Sequence, residues 1–286
     1  MSAARAFIAF QYALPKHAVT ALIHWLARRR WLKAPLIAGF SRLYAIDMSD
    51  ALEPDRSRYR TFNEFFTRAL KPGARPLPNT PRAIASPCDG TVSERGTIDG
   101  EKILQARIQA KSHWYTVGEL LGEDPCARDF AGGEFATIYL APYNYHRVHM
   151  PIDGRLVALS YIPGALFSVN RATAEAVPRL FARNERVVCR FDTAAGPLAL
   201  VFVGALNVGS IAVVGFGDLT PTRPRTARSV AVPAGTQVFA RGAELGRFNM
   251  GSTVILLLPR GRSRWTGNFL PGAAVRMGAT VGELLG

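Results

Sequence analysis

Two kinds of hydrophobic pattern divide the chain. Near the amino end, Val19, Leu22, Ile23 and Leu26 are spaced i, i+3, i+4, i+7, which predicts an amphipathic helix over residues 17–30. Residues 59–70 predict a second, shorter helix. From Ile84 onward the pattern changes to short β-rich runs broken by Gly, Pro and Asp. These runs predict strands at residues 90–92, 135–140, 155–161, 187–191, 198–203, 211–216, 236–240 and 253–258.

Helical patterns are few in the β-rich part, and they predict helices at residues 114–121 and 172–181. A proline-rich stretch over residues 71–81 is typical of a linker. The predicted fold class is therefore α+β, with a helical amino-terminal region (residues 1–70) on a β-rich domain (residues 71–286).

One uncharged stretch, residues 194–217, is long enough to span a bilayer. It contains five glycines, Asn207 and Ser210, together with two β-branched clusters. This content favours two buried strands joined near residues 207–209 over a membrane span.

The charge is uneven along the chain. The net charge is +14, and seven Lys or Arg residues precede Asp47, which is the first acidic residue. A basic excess is typical of binding either to nucleic acid or to an anionic membrane surface. The basic residues alternate with Trp and Phe along a helical pattern, which favours a helix that lies at the membrane interface. The simpler alternative is a helical cap on the β-rich domain, with its basic face in solvent. The segment lacks the features of a secretory signal and of a membrane span.

Several kinds of chemistry are disfavoured by what the sequence lacks. Three dispersed cysteines argue against a disulfide framework and against a cysteine-rich zinc site. The sequence contains no P-loop, no G-x-G-x-x-G and no G-x-S-x-G motif. No lysine follows Lys111, so a lysine-bound pyridoxal phosphate in the β-rich half would have no anchor.

Three short segments contain groups that could carry chemistry. His146 and His149 lie three residues apart, Asp89 precedes a glycine, and Ser252 opens an apolar run. Each has an ordinary structural explanation: histidines bonded to the backbone at a strand end, a turn, and a turn before a strand. A metal site at the histidines lacks a nearby Cys or Glu to complete it. Together, however, the segments offer an acid, a base and a hydroxyl, the parts of an activated serine nucleophile.

A set of short motifs runs in order along the chain, at residues 62–66 (FNEFF), 89–90 (DG), 145–151 (YHRVHMP), 163–170 (PGALFSVN), 180–186 (LFARNER), 246–248 (GRF) and 250–253 (MGST). In these motifs the sequence resembles the bacterial phosphatidylserine decarboxylases. Residues 250–253 are similar to the Leu-Gly-Ser-Thr self-processing motif of that family, with Met250 in place of the usual leucine, a swap of similar volume and polarity.

The resemblance implies a proenzyme that cuts itself between Gly251 and Ser252 into a β chain (1–251) and an α chain (252–286). Ser252 would attack the carbonyl of Gly251, with His149 as general base and Asp89 orienting the imidazole. Ser252 would become a covalent pyruvoyl group, which takes the role that pyridoxal phosphate has in other decarboxylases, and no metal is expected. His146 is a candidate for binding the substrate carboxylate or for donating a proton.

The implied reaction converts phosphatidylserine to phosphatidylethanolamine. The implied partners are an anionic phospholipid membrane, contacted peripherally on the cytoplasmic face of the cell membrane, and a second processed heterodimer; nucleic acid is not expected. Two alternatives remain at this point. One is an unprocessed, non-catalytic lipid-binding relative, and the other is a serine hydrolase that uses the same three residues on an external substrate.

Overall fold

The computed structural model describes residues 3–108, 111–206, 210–219, 226–233, 235–250 and 252–286, without the side chains of residues 3–5, 106–108 and 111–112. Gly251 and the predicted connection at residues 207–209 lie outside the described residues. Within them the α-helices are α1 (Ala3–Ala13), α2 (Lys16–Ala27), α3 (Lys33–Tyr44), α4 (Phe62–Phe66), α5 (Val117–Leu121), α6 (Arg171–Ala176) and α7 (Leu180–Arg183).

The strands begin only after the helical region. In chain order they are β1 (Ala83–Ala85), β2 (Gly90–Thr97), β3 (Lys102–Ile108), β4 (Lys111–Thr116), β5 (Glu134–Leu140), β6 (Arg147–His149), β7 (Gly154–Ile162), β8 (Arg186–Thr193), β9 (Gly196–Val203), β10 (Ile211–Val213), β11 (Gly217–Asp218), β12 (Arg228–Ala231), β13 (Val238–Phe239), β14 (Glu244–Phe248), β15 (Ser252–Leu258), β16 (Ser263–Trp265), β17 (Ala274–Val275) and β18 (Thr280–Leu284). This arrangement confirms the α+β class.

The largest sheet has strand order β12-β7-β8-β9-β15-β5-β2-β17, with β13 also paired to β7. Strand β15 lies at its centre, antiparallel to both β9 and β5. All seven of its residues are buried, which agrees with its nearly continuous run of apolar residues. A smaller sheet, β11-β10-β14-β6, carries the histidine segment.

The helical region has its own hydrophobic cluster. Residues from α2, α3 and α4 pack together there, and Phe40 contacts Phe62 and Phe66 with ring centroids 5.1 and 5.8 Å apart. Met250 packs against the same cluster, so the helical region contacts the chain directly before residue 251. Helix α1 is tied to the β-rich part separately, because buried Gln11 accepts a hydrogen bond from Ser168 N at 2.7 Å.

Two helix predictions were partly wrong. Residues 114–116 belong to strand β4, and the helix begins only at Val117, where Thr116 forms a capping box with Glu119. The predicted helix over 172–181 is split into α6 and α7. Pro178 cannot donate a backbone hydrogen bond, and Arg179 has a left-handed φ of 55°, so the helix is interrupted between them.

The uncharged stretch over residues 194–217 contributes strands β9 and β10, which lie in different sheets. Strand β10 ends at Val213, before the predicted end at residue 216, because a turn follows with Gly215 at a φ of 84°. Across the described ranges, no helix has both the length and the hydrophobicity needed to cross a membrane.

Candidate active site

Ser252 is the first residue of the central strand β15, opposite Leu140 of β5. Its side chain is buried, and no described group forms a hydrogen bond with its Oγ. Two residues earlier, Met250 has a φ of 96°, a backbone conformation that costs a non-glycine residue about 1–3 kcal/mol. Within the described residues, no partner competes for the serine hydroxyl, and the backbone two residues before it is strained.

Asn249 fixes the chain on the amino side of that strained residue. Its Nδ2 donates to Ser210 Oγ at 2.6 Å and to Asp218 Oδ1 at 3.0 Å, and its Oδ1 accepts from Asn63 Nδ2 at 3.1 Å. Asp218 also forms an ion pair with Arg28 of the helical region at 2.6 Å. The sequence alone does not identify Asn249, although this residue directly precedes the Met-Gly-Ser-Thr motif. Its hydrogen-bond partners lie far away along the chain, and no local pattern in the sequence indicates them.

His149 is held at both ring nitrogens. Its Nδ1 lies 2.8 Å from the carbonyl oxygen of Gly242, so Nδ1 carries a proton and donates it. Burial lowers the pKa of His149 below its usual value, which keeps the imidazole neutral. The Nε2 atom is then an acceptor, and the Tyr145 hydroxyl donates to it at 3.0 Å. His149 thus has the tautomer that a general base acting through Nε2 requires.

Asp89 does not form the contact that was expected of it. Its two carboxylate oxygens accept from Arg75 at 3.0 and 2.7 Å, and one also accepts from Met277 N at 2.8 Å. The Gly242 carbonyl orients the His149 ring instead. Asp89 remains close enough for its negative charge to raise the pKa of His149, a smaller effect than burial. In this structure Asp89 pairs with Arg75 through both oxygens and affects His149 through its charge.

His146 precedes strand β6 and is completely buried. Its Nδ1 donates to the carbonyl oxygen of Asn144 at 2.8 Å, its ring packs on Phe66 with centroids 4.0 Å apart, and its Nε2 has no described partner. Burial lowers the pKa of His146 to about 3. The imidazole is therefore neutral at physiological pH and presents Nε2 as an acceptor. In that form it can accept a proton, but it neither donates one from Nε2 nor attracts a carboxylate.

A cavity of about 270 Å³ opens beside His149 and is lined by Tyr145, Arg75, Arg147, Glu244 and Met277, among others. Among the described residues, no group of three His, Cys, Asp or Glu side chains is arranged to hold a metal ion. The described part of the chain thus contains a buried serine hydroxyl and two imidazoles that burial keeps neutral, and no described hydrogen bond joins the serine to either imidazole. Buried groups of these kinds beside a cavity are typical of the active site of an enzyme.

Comparison with known proteins defines the family. A family model described as phosphatidylserine decarboxylase matches residues 62–283, and a second, described as PSD, matches residues 6–45. Three similar relatives, each named phosphatidylserine decarboxylase proenzyme, come from Methylococcus capsulatus (strain Bath), Pseudomonas putida (strain GB-1) and Pseudomonas entomophila (strain L48). The first is 47% identical over 280 residues, which cover 97% of this chain and 96% of the relative. The second is 51% identical over 284 residues, which cover 98% of each chain. The third is 52% identical over 279 residues, which cover 96% of each chain. The chain belongs to the phosphatidylserine decarboxylase family and is a decarboxylase.

Proposed function

We propose that this chain is a proenzyme that cuts its own backbone between Gly251 and Ser252 and then decarboxylates phosphatidylserine to phosphatidylethanolamine with a pyruvoyl group made from Ser252. The observation that carries the proposal is the buried Ser252 hydroxyl, which has no described partner and follows the strained Met250 in the family's processing motif. The family membership of the whole chain supports the reaction class and the substrate.

The cleavage is an exchange of bonds at the serine. Ser252 Oγ attacks the Gly251 carbonyl carbon, the peptide C–N bond breaks, and an ester forms. His149 Nε2 takes the hydroxyl proton and passes it to the released amine. Loss of the Cα proton of residue 252 then breaks the ester C–O bond, which leaves a carboxylate on Gly251 and dehydroalanine at residue 252. Hydrolysis of that residue releases ammonia and leaves the pyruvoyl group.

The surroundings of Ser252 fit such a group. The residue is buried, and no described side chain competes for the position of its Oγ. A pyruvoyl group supplies a ketone that binds the substrate amine and accepts the electrons released as carbon dioxide leaves. Neutral His146 offers Nε2 as a hydrogen-bond acceptor that takes up a proton only briefly during turnover, and the charge of Asp89 stabilises the protonated form of His149.

Mass spectrometry of the intact protein tests the cleavage. Wild-type protein should give two chains, and the smaller should be the 35-residue α chain with a blocked amino end. Ser252→Ala and His149→Ala should each give one uncut chain. Ser263→Ala is the matched control, because Ser263 also opens a strand and its buried Oγ also has no described partner. This variant should be cut normally.

The same measurement separates the alternatives. A single 31.1 kDa species with an intact serine at position 252 would overturn the proposal and leave either a serine hydrolase or a non-catalytic lipid-binding protein. Normal cleavage in Ser252→Ala or His149→Ala would refute the role given to that residue.

We also propose that helices α1 to α3 attach the enzyme peripherally to an anionic membrane on its cytoplasmic face. Large hydrophobic side chains are exposed there among basic residues, and Trp31 and Leu43 are each 72% exposed. Side chains of this kind insert at the boundary between headgroups and acyl chains, while Lys and Arg contact the anionic surface. The other exposed large residues of this surface are Phe7, Phe10, Tyr12, Leu22 and Trp25.

Sedimentation with anionic vesicles tests the attachment. Trp31→Ser should weaken binding, and most clearly at high salt, where electrostatic attraction contributes less. Trp114→Ser is the control, because Trp114 is also exposed but lies on strand β4. Equal binding by both variants would contradict the proposed surface. Association of two processed copies is a further proposal from the family resemblance, and the mass of the particle in solution tests it.

A further inference from the structure

A second cavity lies between the helical region and the strands β6 and β14. Its volume is about 480 Å³. Its lining is strongly basic, with five arginines against two glutamates. The arginines are Arg30, Arg60, Arg68, Arg147 and Arg247.

Arg68 is the most deeply buried of these arginines, with 6% of its surface exposed. Its guanidinium donates to the carbonyl oxygen of Tyr143 at 3.3 Å, and within the described ranges no carboxylate forms an ion pair with it. A buried guanidinium has five N–H donors and is costly to leave without a counter-charge. The remaining donors of Arg68 are therefore available to an anion.

Arg147 and Arg247 face each other across the pair of strands β6 and β14. Like charges directly opposite each other in an antiparallel sheet are destabilising. Arg147 is compensated by Glu244 at 2.7 Å, but the buried Nε of Arg247 has no described partner. An anion between the two strands and Arg68 would satisfy donors that the described residues leave unpaired.

This cavity adjoins the cavity beside His149. Arg147 and His149 are two residues apart on strand β6, so their side chains lie on the same face of the strand. Both residues line the cavity beside His149, and that cavity shares Arg147 and Ala69 with the arginine-lined cavity. A ligand could therefore place an anionic group among the arginines while another of its groups lies close to His149.

We propose that the cavity lined by Arg68, Arg147 and Arg247 binds a phosphodiester monoanion, the headgroup phosphate of the lipid substrate. The identity of the ligand rests on the proposed function. Arginine suits this role because its planar guanidinium pairs with two phosphate oxygens at once. A lipid held in this way would direct its serine part toward the cavity beside His149 and its glycerol part toward the helical region.

Binding to the uncut Ser252→Ala chain tests the proposal without requiring any turnover. The probes are dihexanoyl phosphatidylserine below its micelle concentration and, separately, inorganic phosphate, both measured by calorimetry. Arg247→Gln and Arg68→Gln should each weaken binding of the diester about 10-fold or more. Arg128→Gln is the control, because Arg128 is exposed on the turn Pro125–Phe130 and lines neither cavity. Arg68→Lys keeps the charge if Arg68→Gln fails to fold.

Equal diester affinity in the parent and in Arg247→Gln would overturn the proposal. If inorganic phosphate bound as tightly as the diester and lost the same affinity in Arg247→Gln, the cavity would be a site for free phosphate and the lipid assignment would be overturned.

In the processed enzyme, Arg247→Gln should raise KM for the soluble diester about 10-fold and change kcat less than about 2-fold. It should leave kcat/KM for neutral O-methylserine, which has no phosphate, unaltered. An equal loss with O-methylserine would contradict a phosphate contact. Uncut wild-type protein would refute the proposed function but leave the binding result interpretable.

Discussion

The buried ion pair between Asp89 and Arg75 makes the strongest prediction about stability. Only 9% of the Asp89 side chain and 8% of the Arg75 side chain are exposed. Arg75 also donates to Asp50 at 2.7 Å and to the Ala74 carbonyl oxygen at 2.9 Å, and Met277 N donates to Asp89. Asp89→Ala would remove acceptors from two guanidinium nitrogens and from one buried backbone N–H.

The magnitude follows from what remains unpaired. Breaking a buried ion pair by removing one partner costs about 3–5 kcal/mol. Because Arg75 would keep its contact with Asp50, we expect Asp89→Ala to cost about 3 kcal/mol, at the lower end of that range. Replacing both partners with apolar residues, as in Asp89→Leu with Arg75→Met, removes the unpaired charge. The double variant should lose only about 1–3 kcal/mol, mainly because Met277 N loses its acceptor.

Urea unfolding in a Ser252→Ala background measures these free energies on a single uncut chain. Arg75→Met alone should also be strongly destabilising, since it would leave Asp89 without its counter-charge. If the double variant lost as much as the two single variants together, to within about 0.5 kcal/mol, the two side chains would be energetically independent and the reasoning would be refuted.

The same substitutions test how Asp89 affects cleavage. With Ser252 restored, both Asp89→Ala and the double variant should be cut more slowly than wild type, because the protonated form of His149 would lose the stabilising charge of Asp89. A double variant that is stable and cut at the wild-type rate would show that Asp89 acts only as the partner of Arg75.

Three further predictions concern single side chains. As the pH falls from 6.5 to about 3, the unfolding free energy of wild-type protein should fall more steeply than that of His146→Gln, because only the unfolded state protonates His146 in this range. The difference in slope should be at most about 1.4 kcal/mol per pH unit. Urea-unfolding free energies that change in parallel with pH in the two proteins would contradict this. Tyr145→Phe frees Nε2 of His149, so a time course of intact mass should show cleavage at least as fast as in wild type, and slower cleavage would mean that the hydroxyl assists. Gly164→Ala should lower the unfolding free energy by about 1–3 kcal/mol, measured by thermal unfolding, because the added Cβ would lie 2.4 Å from a backbone oxygen. Gly39→Ala is the control and should not destabilise the protein, because nothing lies within 4 Å of the added Cβ.

The sequence predicted the parts of the fold whose pattern is local and regular. The helix at α2 and the strands β5, β7, β8, β9 and β15 follow helical spacing or β-branched runs, and they lie within a few residues of their predicted bounds. Residues 114–116 were assigned to a helix because their pairing partner, β3, is recognisable only once the hairpin forms. Strand pairing of this kind overrides a short helical pattern.

The site could be predicted by residue type but not by contact. Ser252, His149, His146 and Asp89 were all found through short motifs. Their actual partners were not, because Arg75 lies 14 residues from Asp89 and Gly242 lies 93 residues from His149. Pairing over such separations depends on the fold and leaves no local pattern in one sequence.

The two histidines also differ in how well each can hold a proton, and the sequence alone could not indicate this difference. Both donate Nδ1–H to a backbone carbonyl, so both present Nε2 as a base. Burial lowers the pKa of each, but the charges around them differ. Glu244 and Asp89 raise the pKa of His149 while Arg147 lowers it, whereas the one charge effect on His146, from Arg68, lowers its pKa. A proton taken from Ser252 is therefore better held on His149, once the Tyr145 hydroxyl has released Nε2. His146 is suited to accept a hydrogen bond or to carry a proton only briefly, since the hydrogen bond to the Asn144 carbonyl stabilises the imidazolium too little to offset burial.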